Sequence, residues 1–594
     1  MLVRPLAPTS WSGRRPQAVA AAAGLLVADV ALAVALFAQA WAHPTAVTVG
    51  HKTDAPYTVW AMAWVARALS HGMSPWVTHA LSWPTGVNLL TNATMTGVGM
   101  VLAPVTWLWG PLVAFNVAAT ASLALTAWTA QVVLRRTGLV SWPAAGVGGL
   151  VAGFGPTALT QASGAHLHVA AAFLVPPFLF GVGRLATGTA RSPVRWGVAL
   201  GLLAVGQILV GEELLAIAAI TAAVGLAAAA VVRRLDPKAG KDLATGLGLA
   251  AGVFALLGAV PLWIQFRGPD HIRGPIQIGV HYANDLVGLV VPSGPLRFKP
   301  FAGAARHFST EGGSYLGIPL VVVAVLAARR AWSQRLVRVV ALTAAVLVVL
   351  SLGSPLQVAG DRTPIWLPWG AVAHLPLLVS LLPVRFGVVL DFLAGGLLAV
   401  AMDLAFRWSR GRFEARGRHY ATAPVTFPAV LAPVALAALC LVPLTPALPF
   451  PASRWAIPAV FRSPGLSGIR NGALLVLGPY PGVAHPEVEM WLAVAGARWR
   501  SAGGSYFVPD ATGHITIGGP APLPDVIEAS LEQGLPAAVF EPQRQELLGV
   551  LAHDHFAAVL IGRVPHREVA LKWWTGLLGP PREIDGVAVF LTAR

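Results

Sequence analysis

The sequence predicts an all-α polytopic membrane bundle of about eleven transmembrane helices, followed by a C-terminal extracytoplasmic α/β domain. Three observations lead there. The 594 residues are 56% hydrophobic and only 11% charged, with a mean hydropathy of +0.68, which excludes an ordinary soluble protein. Apolar stretches of roughly 20 residues recur, each long enough to cross a hydrocarbon core about 30 Å thick. Arginine clusters separate them, as in cytoplasmic loops. The formal charge of +16 therefore reflects topology and implies no nucleic-acid partner.

The elements follow in order. Arg4, Arg14 and Arg15 precede an apolar run over 17–41. Ala38-Gln39-Ala40 resembles a cleavage site, but the run exceeds a signal peptide's apolar core, so an uncleaved first helix with a cytoplasmic N-terminus is expected. Further basic clusters are Arg135-Arg136, Arg184/Arg191/Arg195, Arg233-Arg234 with Lys238 and Lys241, Arg329-Arg330 with Arg335 and Arg338, and Arg407 to Arg418. Placing all of them inside puts helices near 18–40, 111–134, 140–156, 166–184, 196–210, 213–232, 243–264, 314–328, 337–353, 385–406 and 424–445. The run 94–110, with its prolines and Trp107 and Trp109, is then re-entrant or interfacial.

This topology gives a transmembrane domain over 1–445 whose polar loops, above all 42–93 and 265–313, face outward. The region 446–594 reads as a separate α/β domain on the same side. Its short strands Ala473–Leu477, 557–561 and Val587–Leu591 alternate with helical stretches near 523–534 and 541–552.

Zinc-ligand spacing, a phosphate-binding loop and a dinucleotide fingerprint are all missing. The single cysteine, Cys440, rules out an intramolecular disulfide.

Chemistry must come from the polar residues left at the outer ends of helices. Asp54 opens the first outer loop, ahead of an amphipathic segment over 57–69 carrying Trp60 and Trp64. It suits an N-cap, with Pro56 in the first turn, and equally a general base at the water–membrane boundary. The tryptophans are expected in the headgroup layer.

His166 and His168 diverge by about 200° on a helix, so one alone can face a cavity and pair with a phosphate or carboxylate. Facing headgroups is the alternative. Glu212 and Glu213 either form a solvated turn that caps the next helix, or contact a metal or a sugar hydroxyl. The loop 265–313 gathers Arg273, His281, Arg306, His307 and Glu311 among others, a lid with anion-binding side chains. Arg385 can grip a phosphate at the bilayer surface or simply snorkel there. Asp29 and Asp391 lie within helices, where a charge costs roughly 2.5–3.5 kcal/mol, so each needs a partner or a wet interior. Asn92-Ala93-Thr94 matches a glycosylation sequon by accident.

One helix, an acid early in a large outer loop, many further helices and a C-terminal domain together resemble the GT-C superfamily of membrane glycosyltransferases, such as protein O-mannosyltransferases and the aminoarabinose transferase of lipid A. The stretches Trp83-Pro-Thr-Gly-Val-Asn-Leu-Leu90, Leu102-Ala-Pro104, Trp109-Gly-Pro111 and Gly164-Ala-His166 look like those of large uncharacterised bacterial membrane proteins described as glycosyltransferases.

The resemblance implies sugar transfer from a polyprenyl-phosphate donor to a glycan, lipid or protein acceptor at the outer face of the cell membrane. It makes Asp54 the base or a ligand of a divalent metal, Mg or Mn. Lys52 and Thr53, rather than a second acid, precede Asp54, which leaves metal use open. Asp54, His166, Glu212 and Arg385 are expected to converge, with His168, His281 and Arg273 as further substrate contacts. A non-catalytic transporter or envelope-assembly scaffold is the competing reading, though the clear inverted repeat and broken midplane helices of transporters are missing.

Overall fold

In the computed structural model, the residues described are 15–232, 236–277, 279, 282–299, 311, 313–414, 427–462, 466, 469, 473–477, 486–502, 504–517, 526–527, 530–531 and 534–592. Two compact units result, and neither is one stretch of sequence: 1–38 with 119–257 and 277–451, and 39–118 with 258–276 and 452–594.

The first unit is helical. Helices occupy all eleven stretches expected to be apolar spans, and six helices among the described residues are long and apolar enough to cross a membrane. They include Pro16–Leu36, Pro111–Arg136, Leu167–Ala186, Pro193–Val232, Pro237–Arg267 and Pro383–Arg410. The expected pair 196–210 and 213–232 runs as one 40-residue element, Pro193–Val232, broken only at Gly211. Trp142–Phe154, Ile318–Arg330, Arg335–Ser351 and Phe427–Leu441 are shorter.

Burial separates centre from periphery. The apolar window of Pro383–Arg410 is 72% buried within the protein, against 11% for Pro237–Arg267, so the former is the core helix and the latter shows its apolar face outward. Helix Gly387–Glu414 packs on Trp142–Phe154, Phe427–Leu441 and Ile318–Arg330. Its contact with Trp142–Phe154 depends on Gly148 and Gly395. A Cβ on either would meet the other's carbonyl oxygen, at 2.5 and 2.2 Å. Without hydrophobic pressure between helices in lipid, such close backbone approach supplies the packing.

The buried acids are partly satisfied. Asp29 accepts from Gln131 at 3.2 Å, and Asp391 accepts from the Thr157 backbone N–H at 3.2 Å, at the start of helix Pro156–Ser163.

The second unit joins the segment after the first long helix to the C-terminal region. Val47–Val49 pairs antiparallel with Ala452–Arg454, and the buried Asn116 side chain braces this ribbon through Val47 and Val49. Helix Ala55–His71 packs on helix Pro486–Val494. A five-stranded mixed sheet has the order Arg582–Ile584, Val587–Leu591, Phe556–Ile561, Ala473–Leu477, Arg500–Ser501. The last two pairings are parallel. Helices Arg544–His553 and Arg567–Leu578 cover it, burying Leu547, Leu551, Trp573 and Trp574.

One expectation changes here. Trp60 and Trp64 do not face headgroups. They are 0% and 7% exposed, stacked on one another at 5.9 Å, with Trp60 edge-on to Tyr506 at 5.8 Å. The C-terminal region covers the face that an isolated loop helix would turn to lipid. The run 94–110 is two short helices, Thr96–Val101 and Ala103–Trp109, and Trp107 and Trp109 are exposed.

Candidate functional site

In the first unit the polar residues gather on Arg385. The 3-10 turn Pro383–Phe386 places it at the head of helix Gly387–Glu414. Its guanidinium forks onto Glu311, donating from Nε to Oε2 at 3.1 Å and from Nη2 to Oε1 at 2.9 Å. Nη1 donates to Glu213 Oε2. Glu213 also accepts the Leu382 backbone N–H at 2.8 Å, holding the start of the turn.

Gln161 donates to Glu311 at 3.1 Å, and its Oε1 lies 3.0 Å from His166 Nδ1, which stands 4.0 Å from Glu311. Side chains here are largely buried, Arg385 at 8% and Glu311 at 9% exposed. Burial alone would raise the Glu311 carboxyl. The charge and hydrogen bonds of Arg385, then His166 and Gln161, outweigh it and hold Glu311 below its ordinary 4.5.

Local sequence explains the arrangement. Gly211 interrupts the long helix with extended backbone (φ 177°, ψ 112°). A Cβ there would lie 2.8 Å from the His168 carbonyl oxygen, so the glycine lets the segment after His166 approach. His168 is thereby buried, 6.2 Å ring to ring from His166. His166 precedes the short helix Leu167–Ala170 rather than lying on it, and is the histidine that stands near the Glu311 carboxylate. Glu213, rather than Glu212, reaches Arg385; Glu212 is half-buried. Glu311, one of many loop residues in the sequence, turns out to be the principal partner. His281 lies outside the described residues.

Asp54 belongs to the second unit. It precedes helix Ala55–His71 with αR backbone (φ −105°, ψ −9°) and makes no side-chain capping hydrogen bond. The N-cap alternative therefore fails for its carboxylate, because Pro56 already suits the first turn without a donor there. Lys52 pairs with Glu487 at 2.8 Å. Two residues further along that helix, Glu489 is 1% exposed. Its Oε1 accepts the Ser505 backbone N–H; Oε2 is buried without a hydrogen-bond partner. Burial pushes this carboxyl up to about 7, against the lowering effect of Ser505 and with a further raise from Asp54.

Arg273 is exposed, its backbone N–H bound to the Gly513 carbonyl at 2.7 Å. Asn92 of the sequon is 7% exposed, so its amide is unavailable for glycosylation. It exchanges two hydrogen bonds with the Phe507 backbone, at 2.9 and 2.7 Å.

Among the described residues no three His, Cys, Asp or Glu side chains gather as a metal site would require.

No family model matches the chain, and no curated protein matches it in sequence. Solved structures align with it by structure. The archaeal oligosaccharyltransferase AglB from Archaeoglobus fulgidus, in complex with an inhibitory peptide and a dolichol-phosphate, aligns over 93% of this chain and 70% of its own, at 11% identity and a TM-score of 0.47. ArnT from Cupriavidus metallidurans bound to undecaprenyl phosphate aligns over 96% of this chain and 98% of its own, at 13% identity and 0.49. Arabinofuranosyltransferase AftD from Mycobacteria aligns over 98% of this chain at 15% identity and 0.49, and this chain spans 40% of that protein's length.

Proposed function

We propose that this chain is a membrane glycosyltransferase moving a sugar from a polyprenyl-phosphate donor to an acceptor hydroxyl, with Asp54 as the general base. The observation that supports it best is the Asp54 carboxylate itself. It stands at the start of a buried, aromatic-rich helix.

Displacement at an anomeric carbon needs a group to take the proton of the incoming hydroxyl as the new bond forms, and a carboxylate positioned at that hydroxyl does this. A donor held by its lipid tail partitions into the bilayer, so such an enzyme needs no nucleotide-binding domain. The six long apolar helices suit that donor.

The departing phosphate calls for positive charge, and Arg385 is the residue that the sequence offers. Its surroundings qualify that assignment. With Glu213 and Glu311 both on it, one cation meets two carboxylates, and a phosphate could take hold only as one of them gives way. His166 and Gln161, flanking Glu311, are the other polar groups of this cluster for a donor headgroup. Arg273, His168, Glu212 and His281 keep the wider role of substrate contacts.

The deciding experiment incubates the purified protein with radiolabelled polyprenyl-phosphate sugars and a cell-envelope acceptor extract. Wild type is expected to transfer label. Asp54→Asn, inserted normally in membranes, is expected to lose about 10²–10⁴-fold in rate. Transfer by Asp54→Asn at the wild-type rate removes the base role.

A further inference from the structure

A buried carboxylate without a cation is the most demanding polar feature of the second unit. Taking a charged carboxylate out of water costs several kcal/mol unless a partner repays it. Among the described residues no cation pairs with Glu489. One oxygen has the Ser505 N–H, the other has nothing, and the side chain is closed to solvent.

The groups brought by the packed elements are few. The segment before helix Ala55–His71 contributes Lys52, already paired with Glu487, and Asp54. The helix itself brings Tyr57, with Arg67 and His71 near its far end. Helix Ala459–Arg462 brings Arg462, and the segment after Ser505 brings Tyr506, whose hydroxyl donates to the Tyr57 carbonyl at 2.6 Å. Asp54 is the one among them that adds like charge to Glu489.

We propose that Glu489 is a second acid of the Asp54 site, a positioning residue that holds one proton while helix Pro486–Val494 is packed on helix Ala55–His71. With Glu489 protonated and closed to solvent, the packed state does not have to hold two like charges side by side. When Glu489 ionises, the packed state must hold two like charges, and the clasp that orders the segment around Asp54 loosens. The charge coupling is independent of the reaction. Its catalytic consequence rests on Asp54 being the base proposed above.

The sign follows from the burial. The proton on Glu489 is held more tightly in the packed state, so packing is strongest below the ordinary glutamate value of 4.5 and weakens as pH rises to about 7. Above that the dependence levels off.

Backbone hydrogen exchange of the full-length protein in lipid nanodiscs, corrected for the intrinsic effect of pH, reads this directly in 55–71 and 486–494. Wild type is expected to lose protection by up to the order of 100-fold between pH 4.5 and 7, since each pH unit in that window is worth about tenfold. Glu489→Gln, uncharged and of the same shape, should be flat over the window. Asp54→Asn removes the neighbouring charge and should bring the levelling-off to lower pH.

A wild type without this loss, a Glu489→Gln variant that keeps it, or an Asp54→Asn variant with an unmoved profile would each overturn the proposal. If Asp54→Asn transfers sugar at the wild-type rate yet shifts the exchange profile, the base assignment fails and the coupling stands.

Discussion

Arg385 holds Glu311 in a two-point grip across 74 residues of sequence, while its remaining terminal nitrogen reaches Glu213, 172 residues away. A long-range triad of this kind is expensive to break from one side. Arg385→Leu leaves two carboxylates buried without their counter-charge, and should lower stability by about 3–5 kcal/mol. Thermal unfolding of the purified protein in detergent checks this. Arg385→Lys should recover only part of the loss, because an ammonium cannot reproduce the fork.

Glu311 makes a pH prediction of opposite sign to that of Glu489. Its folded value is depressed, so its stabilising contribution is complete above the ordinary value of 4.5 and is lost as pH falls through the folded value. Melting temperature followed between pH 6 and 3 should drop more steeply in wild type than in Glu311→Gln. Parallel curves would mean that the pair contributes no pH-dependent stability.

Gly211→Ala tests the break in the long helix. The added methyl group would stand 2.8 Å from the His168 carbonyl oxygen, which forces the two segments apart. A loss of about 1–3 kcal/mol is expected, in the range of other overpacked sites. Gly240→Ala, in helix Pro237–Arg267, meets open space and should not destabilise in the same assay, because alanine favours the helix over glycine.

Asn92→Ala removes both bonds to the Phe507 backbone. Each orphaned, partly buried group costs about 1–3 kcal/mol, and the effect should appear first as faster proteolysis around 504–509. Wild-type resistance there would show that the Asn92 clasp is dispensable.

Legibility in the sequence divided along physical lines. Helical stretches were visible because an apolar run of spanning length admits few alternatives. The strands Ala473–Leu477 and Val587–Leu591 fell where short apolar runs predicted them. Arg385 and His166 stood out as polar residues at helix ends in a chain of few charges. Their partners did not. Glu213 looked like half of a solvated turn, and Glu311 like one polar loop residue among many. Glu489 gave no signal at all, since an acid in a nine-residue helix is commonplace until its surroundings are known.

By itself, composition determined a membrane protein of many helices with its polar residues held to the helix ends, because the bilayer leaves the backbone almost no other choice. Only the tertiary structure decided that Val47–Val49 and Ala452–Arg454 share a ribbon, that Trp60 is buried, and that Arg385 and Glu489 sit in opposite electrostatic circumstances. Those outcomes depend on which distant segments pack together. Pairing and burial set the cost of a charge, and neither is written in the local pattern around it.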